Sequence, residues 1–222
     1  MPQSYKSIQK NYEGLVSLVR LLRGPQGCPW DRDQTSESLK PMFLEECYEV
    51  VEAIEEQDRS KIIEELGDVL FHIVLQVHML GEDDITNNNE VFSKTISKYV
   101  RRHPHVFEEN TDKDVKAVEV QWDEIKRQEK ANAEKSVVDG IPKQLPALAY
   151  AQAIQMRVAK VGFDWDIYKE VREKVMEELT EIEHAKTQSD REDELGDLLF
   201  SLVNTARWMH LDAETALRKA NN

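Results

Sequence analysis

One acidic pattern, Glu-Glu-x-x-Glu followed a helix later by Glu-Leu-Gly-Asp and an apolar run, occurs twice in this chain. That repetition constrains the fold more than any bulk property. The first copy is Glu45-Glu46-Cys47-Tyr48-Glu49 with Glu65-Leu66-Gly67-Asp68-Val69-Leu70-Phe71. The second is Glu177-Glu178-Leu179-Thr180-Glu181 with Glu194-Leu195-Gly196-Asp197-Leu198-Leu199-Phe200. A Trp-Asp pair precedes each, Trp30-Asp31 and Trp165-Asp166. Self-similarity of this kind marks a duplicated supersecondary unit. It predicts two tandem units, 1–135 and 136–222, with the junction in the region 131–145.

Apolar residues recur at three- and four-residue spacing almost throughout, and no stretch alternates with period two, so the fold class is all-α. The periodicity predicts helices over 5–23, 36–57, 60–81, 88–102, 114–131, 145–160, 167–186 and 190–210, with a short one from 212. The Pro/Gly-rich stretch 24–29 and the segment around Gly140-Ile141-Pro142 read as loops. The first copy runs on through Lys94, Lys98, Arg101 and Arg102 to Trp122 and Lys126. In the second, Lys219 stands where Lys94 would and the sequence stops at Asn222, so the second unit is expected to be short at its C-terminal end.

On a helical wheel for 60–80, at about 100° per residue, Ile62, Leu66, Val69, Leu70, Ile73, Val74 and Val77 fill one broad sector. Phe71 and Leu75 extend it, which leaves Lys61, Glu65, Asp68, His72 and Gln76 in a narrow polar strip. A helix apolar nearly all round is expected to be buried, placing Glu65 and Asp68, at i and i+3, on one poorly solvated face. Unpaired carboxylates there either protonate or bind a cation. Glu46 and Glu49 share the i, i+3 spacing on the preceding helix, with Glu45 and Glu52 beside them. Antiparallel packing through the connection near 57–60 would bring four oxygen ligands together. An all-oxygen, carboxylate-rich set suits a hard cation such as Mg²⁺. A di-iron bundle would need Glu-x-x-His pairs; His72 follows Asp68 at i+4 and Ser201 stands there in the second copy, which disfavours it.

The net charge of −14 argues against non-specific nucleic-acid binding, because a phosphate backbone is drawn to Lys/Arg surfaces. A phosphate ligand would then need a bound divalent cation to supply positive charge. Cys28 and Cys47 have neither metal-type nor redox-type spacing. No apolar leader opens the sequence, and the run 69–80 is too short to span a bilayer. These features predict a soluble, cytoplasmic protein with no membrane partner.

With these residues in view, E-E-x-x-E, a spacer and E-x-x-D resemble the signature of the MazG nucleoside triphosphate pyrophosphohydrolases, all-α NTP pyrophosphatases. Gly27-Cys28-Pro29-Trp30-Asp31, Arg101-Arg102-His103-Pro104-His105-Val106-Phe107, Val161-Gly162-Phe163-Asp164-Trp165 and Ala216-Leu217-Arg218-Lys219-Ala220-Asn221 resemble further segments of the two-domain bacterial type. The resemblance implies two four-helix-type units and hydrolysis of an NTP to the monophosphate and pyrophosphate, in a helical homodimer. Mg²⁺ is the implied cofactor, with Mn²⁺ as a substitute. It implies metal ligands Glu46, Glu49, Glu65 and Asp68 in the first unit and Glu178, Glu181, Glu194 and Asp197 in the second. Glu45 and Glu177 would orient or deprotonate the attacking water, and Lys174 and Lys219 would contact the nucleotide.

The mechanism expected from these parts is in-line attack of water near the α-phosphorus. Lys94, Lys98 and Lys126 could hold the triphosphate, and Trp30 or Trp122 could stack on a base. The basic residues of 94–102 suit a solvated helix face equally well, and Trp122 taken alone suits a core. Arg101-Arg102 with His103-Pro104-His105 fits a helix C-terminus, where cations are favoured. His72 fits a packing role beside the ligands. Three rivals stand beside the main reading: a non-enzymatic helical interaction module, a pyrophosphatase restricted to non-canonical or deoxy nucleotides, and a chain with one catalytic and one structural unit.

Overall fold

The computed structural model describes residues 8–83, 88–108, 114–130 and 136–221. The expected junction region 131–145 begins in residues 131–135, which lie outside them, as does Asn222. The described residues form helices joined by turns, with no strand among them, so the chain is all-α. It divides into two compact units, Met1–Trp122 and Asp123–Asn222.

The first unit carries α1 (Tyr12–Arg23), α2 (Pro29–Asp33), α3 (Lys40–Glu56), α4 (Arg59–Asp83), α5 (Asn88–Arg102) and α6 (Pro104–Phe107); α7 (Val115–Lys130) runs across the division. Of the helix expected over 5–23, residues 5–7 lie outside the described residues; within them it begins at Tyr12, where Asn11 caps it, its side chain accepting from the Gly14 N–H at 2.9 Å. Two short helices escape the periodicity. Both start on a proline, Pro29 and Pro104, whose fixed φ suits the first helical position. They span too few residues to show a period.

Helix α4 is the spine of this unit, packed against α3, α1 and α5. Val74, Leu75 and Met79 of α4 meet Val19 of α1 and Leu39 in one buried cluster, with Leu15, Val16, Met42 and Phe71 against it. The α3–α4 hairpin turns in two residues. Gln57 takes the left-handed conformation at φ 58° and closes α3, and the Asp58 carboxylate accepts from the Ser60 and Lys61 N–H groups to open α4.

The second unit carries α8 (Ala147–Ala159), α9 (Tyr168–His184), α10 (Gln188–Trp208) and α11 (Ala213–Asn221). Here α10 is the spine, packed on α9, α8 and α11. Thr187 and Asp190 form a capping box that starts α10. Gln155 of α8 donates to the Phe200 carbonyl at 2.8 Å, and Gln152 clasps Leu211 and Ala213 at the entry to α11. Asp164 accepts from both terminal nitrogens of Arg207 and from the Trp208 indole, tying the Gly162–Trp165 loop to the end of α10.

The expected all-round burial of the Glu-Leu-Gly-Asp helix does not hold within the chain. Ile63, Leu66, Leu70, Ile73 and Leu80 of α4 are exposed, Leu66 at 50%. With half-buried Val77 they fall at alternating three- and four-residue steps, the heptad seam of a coiled coil. Leu195, Leu199, Leu202 and half-buried Ala206 repeat the seam on α10, with exposed Met209 following at its C-cap. The wheel identifies an apolar sector but not how much of it neighbouring helices cover. Here α3, α1 and α5 pack on α4 and leave this seam exposed.

Candidate metal and nucleotide site

Each spine helix and its hairpin partner bring three carboxylates together. Glu46 and Glu49, one turn apart on α3, each offer an oxygen to a group completed by Glu65 of α4, all within 4.8 Å of one another. Glu178 and Glu181 of α9 do the same with Glu194 of α10. Helix geometry supplies the first pair in each case, because i and i+3 lie on one face. The short hairpin supplies the third. Asp68 and Asp197, expected as fourth ligands, are exposed and stand outside the 4.8 Å groups. Their charges still act on the clusters, Asp68 on Glu46 and Glu65 and Asp197 on Glu194.

The electrostatics are those of like charges crowded together. Glu46 is pushed above the usual carboxylate range by desolvation first, then by Asp68, Glu49 and Glu65. Glu65 is raised by desolvation and then chiefly by Glu49, and Glu194 by desolvation and then Glu181 and Glu178. His72 is buried against Phe43 and Phe71, its Nε2 3.9 Å from the Glu46 carboxylate. Burial lowers its pKa against the opposing pull of Asp68, so it stands beside the cluster as a neutral ring. The buried carboxylate expected on the Glu-Leu-Gly-Asp helix lies on the helix before it. Glu178 is 3% exposed, and its Oε2 is buried with no hydrogen-bond partner. A buried, half-satisfied carboxylate beside two others suits a hard divalent cation.

The remaining expected residues are more dispersed. Glu45 and Glu177 are exposed, each one position ahead of a cluster ligand. Lys174 reaches the second cluster directly, 2.7 Å from Glu178 and 2.9 Å from Glu177, and these two hydrogen bonds raise its pKa. Its spacing of three and four residues from the two glutamates was the signal for that ion pair. Lys94 pairs with Glu90 on its own helix, and Lys98 lies 5.3 Å from the Tyr99 ring centre. Lys126 is half-buried on α7, and Lys219 is exposed on α11. Trp30 is exposed, and Trp122 is 36% exposed rather than in a core. The His103 ring Nδ1 lies 2.6 Å from the Tyr99 carbonyl at the end of α5, where Arg101 and Arg102 fill the last turn.

The order of these elements matches known proteins. Residues 34–107, which hold the whole first cluster, match the MazG nucleotide pyrophosphohydrolase domain. Over 94% of its length the chain is 45% identical to the nucleoside triphosphate pyrophosphohydrolase/pyrophosphatase MazG of Thermotoga maritima, covering 80% of that protein. The chain belongs to the MazG family. Another MazG relative, the nucleoside triphosphate pyrophosphohydrolase of Escherichia coli K12, is 42% identical over 93% of the chain and 81% of its own length. Bacillus subtilis YabN, an uncharacterised protein, is 42% identical over 98% of the chain, which spans 45% of it. No helix among the described residues is long and apolar enough to cross a membrane.

Proposed function

We propose that this MazG-family chain hydrolyses nucleoside triphosphates to the monophosphate and pyrophosphate, using Mg²⁺, or Mn²⁺ in its place. The convergence of three carboxylates in each hairpin, with Glu178 of the second buried and carrying an unpartnered oxygen, carries the reading. The names of the Thermotoga and Escherichia relatives supply the reaction. Glu46, Glu49 and Glu65 would hold the metal in the first unit and Glu178, Glu181 and Glu194 in the second, with Asp68 and Asp197 at the margin. When bound, the ion neutralises phosphate charge and lowers the pKa of water. Glu45 and Glu177 would take the proton from the attacking water, since each is a solvated carboxylate next in sequence to a ligand. Lys174 and Lys219 would hold phosphate oxygens in the second unit, and Lys94, Lys98 and Lys126 in the first. Trp30 and Trp122, each with exposed ring area, would offer stacking faces for a base.

A second reading restricts turnover to one unit and to non-canonical or deoxy nucleotides. It is favoured by the unequal surroundings of the clusters: Met42 and His72 beside the first, Lys174 and Ser201 in the matching places beside the second. The α4 and α10 seams support a homodimer, because a second copy would remove their leucines from water. Cys28 and Cys47 are both free thiols, compatible with the reducing cytoplasm. Glu49→Ala and Glu181→Ala, assayed separately for pyrophosphate release over canonical and non-canonical NTPs, test the proposal. Loss in one variant names the working unit, and undiminished release in both rejects the metal-site reading.

A further inference from the structure

The two carboxylate clusters look alike in sequence but differ in their charge balance. Lys174 lies one turn before Glu178, and its ammonium lies 2.7 Å from Glu178 Oε1 and 2.9 Å from Glu177. Since Glu178 is buried and its Oε2 has no partner, the ammonium is the only positive group on that carboxylate among the described residues. The matching position in the first unit is Met42, an apolar side chain packed against the core. His72 Nε2 lies 3.9 Å from Glu46 there, beyond hydrogen-bond distance. One cluster therefore carries three carboxylates with no lysine paired to any of them; Lys61, which acts on Glu65 at longer range, is paired with Glu56 at 2.6 Å. The other carries three with a lysine already on its most buried member.

We propose that Lys174 is the resident counter-ion of the second cluster and makes divalent-cation binding there conditional on a triphosphate, while the first cluster takes up its cation unaided. This rests on the metal-site reading above. A cation entering the second cluster meets a carboxylate with one oxygen already engaged and an ammonium beside it. Binding must displace Lys174 or tolerate its repulsion. The Lys174 side chain is 34% exposed, and withdrawing its ammonium without a new partner forfeits an ion pair made to a buried carboxylate. Triphosphate oxygens offer that partner. They accept the ammonium as it leaves Glu178, free the carboxylate for the metal and add ligands of their own. Metal and nucleotide then bind the second unit cooperatively, each raising the affinity of the other by the same factor.

The test counts protein-bound Mn²⁺ by equilibrium dialysis on the full chain, with and without a non-hydrolysable α,β-methylene NTP analogue. Glu181→Ala leaves the first cluster to be read, and Glu49→Ala leaves the second. Without analogue, Glu181→Ala should bind Mn²⁺ about tenfold or more tighter than Glu49→Ala, and the analogue should close most of that gap. Adding Lys174→Met to Glu49→Ala should restore tight, analogue-independent binding. Equal affinity of the two single variants without analogue, unaltered by Lys174→Met, overturns the proposal and leaves the metal reading intact. Absence of Mn²⁺ binding by wild type with or without analogue defeats the metal reading itself. If Lys174→Met does not fold, Met42→Lys in the Glu181→Ala background decides independently. It should weaken Mn²⁺ binding at the first cluster by about tenfold, and unchanged affinity overturns the proposal.

Discussion

Replacing Glu46 by Gln should stabilise the metal-free protein and destabilise the metal-loaded one. The amide keeps the shape of the side chain and removes one charge from a group whose oxygens lie within 4.8 Å of one another. At that separation two unit charges repel by about 0.9 kcal/mol even with the dielectric constant of water. Glu46 faces two such neighbours, Glu49 and Glu65, and the side chain is 23% exposed, so screening is incomplete but substantial. The expected gain is about 1–2 kcal/mol, or about 4–8 °C in the melting temperature of a unit this size. Neutral His72, at 3.9 Å, forms no ion pair that the substitution would break.

Saturating Mg²⁺ should reverse the order. A ligand at a hundredfold excess over its Kd adds about 2.7 kcal/mol to whichever form binds it, and Glu46→Gln has lost a ligand. Differential scanning calorimetry at neutral pH, in EDTA and then in Mg²⁺, reads both signs. A variant that melts below wild type in EDTA would show that Glu46 is held by a stabilising contact. A variant that stays above wild type in Mg²⁺ would show that Glu46 does not bind the metal. Either result refutes the reasoning.

Acidification should weaken Mg²⁺ stabilisation at unusually high pH for a carboxylate site. Glu46, Glu65 and Glu194 have raised pKa values, so protons compete with the metal as pH falls through those values. Without metal the sign is opposite. The folded state holds these protons more tightly than the unfolded chain, so the metal-free protein loses stability as pH rises from the ordinary carboxylate range through the raised values. Melting temperatures across pH, with and without Mg²⁺, should converge toward acid. Asp164→Asn should cost about 1–3 kcal/mol, because the amide removes the charge facing Arg207 and one of the two oxygens that Arg207 and Trp208 share. Asp164 has a lowered pKa, so its contribution is present above the unfolded value and is lost as pH falls through the folded one, which urea titration at two pH values would show. Ile73→Glu, on the exposed seam of α4, should shift sedimentation toward monomer without lowering the stability of a monomeric unit; an unchanged sedimentation profile rejects the seam as an interface.

Much of this site was legible before any coordinates. The spacing of Glu46 from Glu49, and of Glu178 from Glu181, puts each pair on one helical face, because 3.6 residues per turn is a local property of the backbone. Antiparallel packing of the next helix was expected to bring further carboxylates to each pair, and Glu65 and Glu194 do lie with them. Less legible were elements too short for a period, such as α2 and α6, and the start of α1, where one Asn11 side chain overrides an apolar pattern that begins earlier. The attachment of the Gly162–Trp165 loop to Arg207 and Trp208 joins residues more than forty positions apart, a distance over which spacing carries no signal.

The sequence alone therefore determined the helical class and the pairing of the carboxylates, since each depends on neighbours within a turn or two. Tertiary structure decided which carboxylate is buried, which apolar sectors are covered and which cation stands in the cluster. A wheel groups residues into faces but does not say what lies against a face. Packing left the leucine seams of α4 and α10 open, moved the buried carboxylate to Glu178, and put Lys174 on it while Met42 joined the core. Desolvation and ion pairing depend on that packing, so two clusters with the same spelling are electrostatically different.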